Sequence, residues 1–203
     1  MKPQRIANVI LATVLVSACQ MPELPSVAVT TPAVTDDDHA VMKAVIDQLL
    51  RPRRAATRRQ APQTTGEAAA SFLVFDSTLR FCEANEVMPG GQVPGCVPAT
   101  VLNEPTARLF RERSSTPLQI QGTLGHDVMY IPSAEVDTTA RLGEFARQRS
   151  PGSTIVAFSM PVYPRERSAM IFCYRFWDGT GLVHLERIGD SWSVVGTSNW
   201  TQY

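Results

Sequence analysis

The stretch that most constrains this chain is its C-terminal end. Three runs, 168–177, 181–188 and 192–197, are rich in β-branched and aromatic residues and are bounded by turn chemistry. A fourth run, 154–162, precedes them. Together they predict an antiparallel β-meander. Asp178-Gly179 predicts a two-residue type I′ hairpin, because both central positions need positive φ and Asp-Gly tolerates it. Gly189-Asp190 predicts a second two-residue turn. Such turns set the register. Trp177 then opposes Thr180, Arg175 opposes Leu182, Cys173 opposes His184 and Ile171 opposes Glu186. Across the next hairpin Ile188 meets Ser191, Glu186 meets Ser193 and His184 meets Val195.

Side chains alternate between faces with period two. One face is expected to collect Met170, Phe172, Tyr174, Phe176, Val183, Leu185, Trp192 and Val194, and to be the core face. The other collects Ile171, Cys173, Arg175, Trp177, Leu182, His184, Glu186, Ser193, Val195 and Thr197. Its mixed character suits a half-solvated surface or the wall of a cleft. A slip of one residue would exchange the faces.

Upstream, Thr35 followed by Asp36, Asp37 and Asp38 predicts a helix start, with a capping hydroxyl and acids at the positive end of the dipole. Val41, Val45 and Leu49, with Met42 and Ile46 beside them, form one apolar stripe to about Leu50. Residues 51–59 hold Arg51, Arg53, Arg54, Arg58 and Arg59. Charge runs are usually solvated, so a linker is expected, with contact to an anionic surface as the sharper alternative. Residues 68–79 read as helix before Ser71 and strand after it. Residues 83–98 read as a Pro/Gly loop and 105–113 as a short helix with Pro105 in its first turn. A strand pair is expected around Gly125, and a helix at 137–148 capped by Asp137 and stopped by Pro151-Gly152. Helices first and a run of strands last predict an α+β fold, with helices packed on one face of a C-terminal antiparallel β-meander.

The chain's 203 residues are 44% hydrophobic, enough for one domain with a core plus tails. Formal net charge is +0, so composition gives nucleic-acid binding no support. The first residues are organised differently. Lys2 and Arg5 form a basic region, and Ile6 to Val16 an apolar run too short to span a bilayer. Val16-Ser17-Ala18-Cys19 then resembles the bacterial lipobox at the end of a signal peptide. The resemblance covers residues 1–19. It implies cleavage before Cys19 and attachment of acyl chains such as palmitate there, which anchor stably when two or three are present. Val16 stands where Leu is more usual. Gln20, rather than Asp, implies sorting to the outer membrane. The expected organisation is a signal peptide (1–18), a lipidated Cys19 with a Pro/Val/Thr-rich tether (19–35) and a single α+β domain (36–203) facing the periplasm. At the level of pattern the domain looks like the small NTF2-like or cystatin-like folds. Its segment 169–195 is similar to the C-terminal sheet of uncharacterised bacterial lipoproteins. Folds of this kind host enzymes and binding modules alike, so the likeness implies no function.

With Cys19 assigned to lipid, Cys82, Cys96 and Cys173 remain. Cys82 and Cys96 bracket the Pro/Gly loop and form the expected disulfide, worth roughly 3 kcal/mol for a loop of this size. Cys173 is the spare thiol. In the expected register it faces His184, with Glu186 on the same face. A thiolate nucleophile would use such a set, His lowering the thiol pKa and Glu orienting the imidazole. The bland reading makes Cys173 a small buried hydrophobe. His126-Asp127 lies in an expected turn, but three histidines without paired spacing are a weak metal signal. Trp177, Trp192 and Trp200 read as core or rim residues, or as the lining of an apolar pocket. No nucleophile elbow, zinc-protease motif or nucleotide fingerprint occurs, and no cofactor is implied.

The first reading is therefore a lipid-anchored cell-envelope protein, a non-catalytic binding or structural module. It meets the membrane through its anchor and either an envelope protein or a small apolar ligand through its domain. The alternatives are a thiol-dependent enzyme using Cys173 and His184, and an apolar ligand carrier.

Overall fold

In the computed structural model the described residues are 33–60, 71–82, 96–98, 102–134, 136, 139–176 and 179–201. The lipobox with Cys19, the tether up to residue 32, the Asp137 cap, Trp177 and Asp178 lie outside them. The described residues belong to one compact unit.

The chain begins with α1 (Asp36–Val45), one turn of π-helix (Ile46–Leu50) and α2 (Arg51–Gln60). There follow β1 (Phe72–Phe75), β2 (Arg80–Cys82), β3 (Cys96–Pro98), α3 (Glu104–Arg113), β4 (Val128–Ile131) and α4 (Thr139–Arg149). The strands β5 (Thr154–Phe158), β6 (Val162–Arg165), β7 (Ser168–Arg175), β8 (Gly179–Ile188) and β9 (Ser191–Thr201) complete it. The fold is α+β. Its main sheet has 7 strands in the order β4-β1-β5-β7-β8-β9, with β6 pairing on β7. The C-terminal part is the expected antiparallel meander. At the other end β1 runs parallel to both β4 and β5. A parallel pair needs a long crossover, here supplied by the segments carrying α3 and α4.

Alternation sorts the sheet cleanly into two cores. Phe72, Val74, Val156, Phe158, Ala169, Ile171, Cys173, Val183, Leu185 and Trp192 point to one side, where Val41, Met42 and Val45 of α1 and Ile46 and Leu50 of the π turn cover them. Leu73, Phe75, Ile155, Ala157, Met170, Phe172 and Leu182 point to the other, against Ala107 and Phe110 of α3 and Leu142 of α4. Both faces of β7 are therefore buried, which corrects the expectation of one core face and one mixed face.

The β7–β8 register corrects the turn-based expectation. Arg175 pairs with Gly179 across a three-residue connection, rather than Trp177 with Thr180 across two. The pairing is thereby offset by three, an odd number, so the strands present opposite faces to those expected. Cys173 opposes Gly181, Ile171 opposes Val183 and His184 opposes Met170. The physical reason is the second core. The observed register sets Ile171 and Ala169 against Val183 and Leu185, where the expected one sets Ile171 against Glu186. With apolar cores on both sides, packing outweighs turn preference. The Gly189-Asp190 turn holds: Gly189 has φ 61°, Ile188 pairs with Ser191 and Glu186 with Ser193. Beyond it a bulge at Val195 moves His184 opposite Gly196, not Val195.

Three further expectations change. The arginine run is helical as α2 rather than a solvated linker, because Arg51 and Arg54 find fixed acceptors. Arg51 is paired with Asp47 and Asp127, and Arg54 donates to the Ser71 carbonyl and to Thr154 Oγ1. The expected strand pair around Gly125 is a single strand, β4. The backbone before it is taken instead by the β1–β2 connection, Thr78 N–H donating to Leu118 O and Ile120 N–H to Asp76 O. Part of the expected Pro/Gly loop is strand: β3 pairs parallel with β2. The helices at α3 and α4 stand as expected, α3 capped by Asn103, and Gly152 at φ 76° follows the end of α4.

Candidate functional site

The described chemistry concentrates at the start of α1. Thr35 caps the helix: its Oγ1 accepts from Asp38 N–H at 3.2 Å, while Asp38 Oδ2 accepts from Thr35 N–H at 2.9 Å. That reciprocal pair is the capping box, with Asp in the acidic position. Asp38 is 0% exposed. A carboxylate buried to that degree requires compensating donors, and it has them. Thr35 Oγ1 donates to Oδ2 at 2.9 Å, Tyr163 Oη to Oδ1 at 2.8 Å, and Arg113 Nη2 to both oxygens at 2.7 and 2.8 Å. The node ties together the first turn of α1, the last turn of α3 and strand β6. Burial, reinforced by the neighbouring Asp38 carboxylate, raises the Tyr163 hydroxyl well above its ordinary pKa, so it remains a proton donor to Asp38.

A second layer lies beside it. Trp192 Nε1 donates to Asp37 Oδ1 at 3.0 Å, and its ring lies 5.8 Å from that of Tyr163. Arg113 stacks over Tyr163 at 4.9 Å and Arg187 over Trp192 at 5.8 Å. Next to the node is a cleft of about 270 Å³ lined by Ala33, Glu112, Arg113, Ser115, Thr116, Leu118 and Met160. The guanidinium at its wall is already neutralised by Asp38.

The sequence candidates are distributed differently. Cys173 is 0% exposed in the core beneath the first helix. Burial pushes its thiol up to about 12, although Arg175 and Arg53 draw it down. His184 lies on the opposite face, its Nε2 2.7 Å from Ser198 Oγ, and Glu186 is exposed. The Cys173, His184 and Glu186 set is thus not assembled: the three-residue register offset puts the thiol and the imidazole on opposite sides of the sheet. Nor does a carboxylate hold the imidazole among the described residues, so the His184–Ser198 contact lacks an orienting partner.

Cys82 and Cys96 are disulfide-bonded, with Cα atoms 5.5 Å apart. His126 and Asp127 occupy a turn. Burial works against the Asp127 carboxylate, but the Arg51 guanidinium outweighs it and holds the group below the usual carboxylate range. Among the described residues no three metal-ligating side chains converge. Trp192 is a core residue and does not line the cleft.

The buried node was missed from sequence, apart from the capping signal at Thr35 to Asp38. Arg113 and Tyr163 lie 75 and 125 residues from Asp38, and nothing local marks either as its partner. Chemically the arrangement is an ion pair whose carboxylate is fully engaged and which fixes helix to sheet. No protein-family model matches the chain, and neither a curated protein nor a solved structure is found to match it. The fold and site define an α+β domain whose most buried charge is structural.

Proposed function

We propose that this chain is a lipid-anchored cell-envelope protein, tethered through Cys19 to the periplasmic face of an outer membrane and acting as a non-catalytic binding or structural module. The observation that carries the reading is the N-terminal order of basic residues, short apolar run and Val16-Ser17-Ala18-Cys19. The Cys82–Cys96 disulfide supports it, because such bonds persist in oxidising compartments. The non-catalytic part is supported by the thiol: Cys173 is fully buried and far from being a thiolate at neutral pH. The conspicuous charges, Asp38, Arg113, Arg51 and Asp127, are engaged in joining elements. Among the described residues no helix is long and apolar enough to cross a membrane.

The test is an intact mass of the membrane-extracted protein, with and without reduction and alkylation. A mass beginning at Cys19 plus acyl chains supports the reading. A mass without lipid overturns the anchor and the address together.

A further inference from the structure

Among the described residues no strand lies beyond β9, so β9 is an edge of the main sheet. The outward N–H and C=O groups of an edge template the addition of another chain, and proteins guard them with charges, proline or bulges. Past Val194 irregularity does this. The β8–β9 register shifts between His184 and Leu185 and again between Thr180 and Leu182, which breaks the ladder into short pieces. The longest uninterrupted run pairs Leu185, Glu186, Arg187 and Ile188 with Val194, Ser193, Trp192 and Ser191. On β9 that run, Ser191-Trp192-Ser193-Val194, holds no charged residue and no proline.

Gln48 of the π turn lies against this run. Its Nε2 donates to Trp192 O at 3.0 Å and its Oε1 accepts from Val194 N–H at 2.9 Å. The two partners fix the amide's orientation, since a carbonyl only accepts and an N–H only donates. The pattern is that of a parallel ladder. There, one residue donates to the carbonyl before its partner and accepts from the N–H after it, and here the partner is Ser193. The carboxamide therefore stands where one residue of a parallel strand would. The turn does not need it to stay on the core: Ile46 and Leu50, two residues to either side, are buried there, while Gln48 is exposed. We propose that Gln48 is an edge guard, whose side chain fills the strand position opposite Ser193 and keeps the longest regular run of β9 closed to strand addition.

Hydrogen exchange resolved to the Val194 amide, and sedimentation over a concentration series, test this on the full chain in detergent. Gln48→Met keeps the length of the side chain and removes both bonds. It is expected to speed Val194 exchange about three- to tenfold, the size of one net hydrogen bond. It is also expected to self-associate at concentrations below any at which the wild type does. Gln48→Glu keeps the acceptor for Val194 and puts a charge on the edge, so Val194 should stay protected and association should stay at the wild-type level. Phe110→Leu leaves a cavity on the opposite side of the sheet and should lower stability without promoting association, which separates an open edge from general loosening. Unchanged Val194 exchange in Gln48→Met overturns the proposal. So does faster exchange without added association, or association of Gln48→Glu or Phe110→Leu to the same degree as Gln48→Met.

Discussion

Replacing Asp38 by alanine removes the acceptor on which three elements converge, and the cost follows from what is stranded. The capping box at the start of α1 is lost, worth about 1 kcal/mol. Tyr163 loses its charged acceptor; the ~1.5–3 kcal/mol of such a bond falls to about 1 to 1.5 kcal/mol because the half-buried hydroxyl recovers water. Arg113 loses an ion pair in which one nitrogen, Nη2, reaches both carboxylate oxygens. Its side chain is 34% exposed and can recover water, so its share is nearer 1 kcal/mol than the 3–5 kcal/mol of a fully buried broken pair. The total is about 3 kcal/mol, a large part of the 5–15 kcal/mol that stabilises a typical domain. Asp38→Asn keeps one acceptor oxygen but loses the charge and turns an NH2 toward the Arg113 donor, so it should recover only part of the loss. Removing Arg113 as well as Asp38 should cost less than the sum of the single changes, because neither charge is left unanswered. Urea unfolding at neutral pH, followed by tryptophan fluorescence with the disulfide intact, reads all of these. The midpoint should fall with the slope unchanged. If Asp38→Ala costs less than about 1 kcal/mol, or the double change is additive, the node is not an interdependent unit and the reasoning fails.

The remaining predictions concern titration and the thiol. Cys173 should resist alkylation in the native protein and react in one step on unfolding; native-state labelling at a rate near that of a small thiol would restore the thiol-enzyme reading. The raised Cys173 pKa, about 12 against 9.0 for a solvent-exposed thiol, means the unfolded state sheds this proton first. That contribution to stability is complete below pH 9 and declines above it, and Tyr163 adds to the decline above pH 10. Cys173→Ala should remove the earlier part of the alkaline limb in unfolding measured from pH 8 to 11, and an unchanged limb would contradict the assignment. Asp127 has the opposite sign. Its lowered pKa gives stability that is present above the ordinary carboxylate value and lost as pH falls below it, so Asp127→Asn should flatten the acid limb, and Arg51→Met should do the same.

Much of the framework was legible because its signals are local. Thr35 with three following acids, Pro105 in a first turn, Gly152 after a helix and the Gly189-Asp190 turn each specify their own few residues. The strand runs were legible too, since β-branched and aromatic residues cluster there. What local signals do not carry is which side of a strand a distant element will cover. In β7 both Met170, Phe172, Tyr174 and Ala169, Ile171, Cys173 are mostly apolar. Alternation could not say that both sets were core, and the mixed look of the second came from Arg175, which is buried, and from His184 and Glu186, which the expected register places beside it.

The register error and the false catalytic set have the same origin. Dipeptide preference at Asp178-Gly179 predicts a two-residue turn, and that turn would bring Cys173 to His184. The same preference at Gly189-Asp190 gave the right pairing. The difference lies in what each hairpin buries. β9 is an edge strand whose neighbour is set by its turn and by Gln48, so turn chemistry has little competition. β7 is interior, paired on β5, β6 and β8, and Phe158 must meet Cys173 while Ala157 meets Tyr174. Those contacts, and the helix over them, decide where β7 stands before its turn is closed. A candidate site built on a predicted hairpin is therefore safest at a sheet edge and weakest in its centre. There, an odd offset moves every side chain to the other core and dissolves a constellation that the sequence alone had assembled.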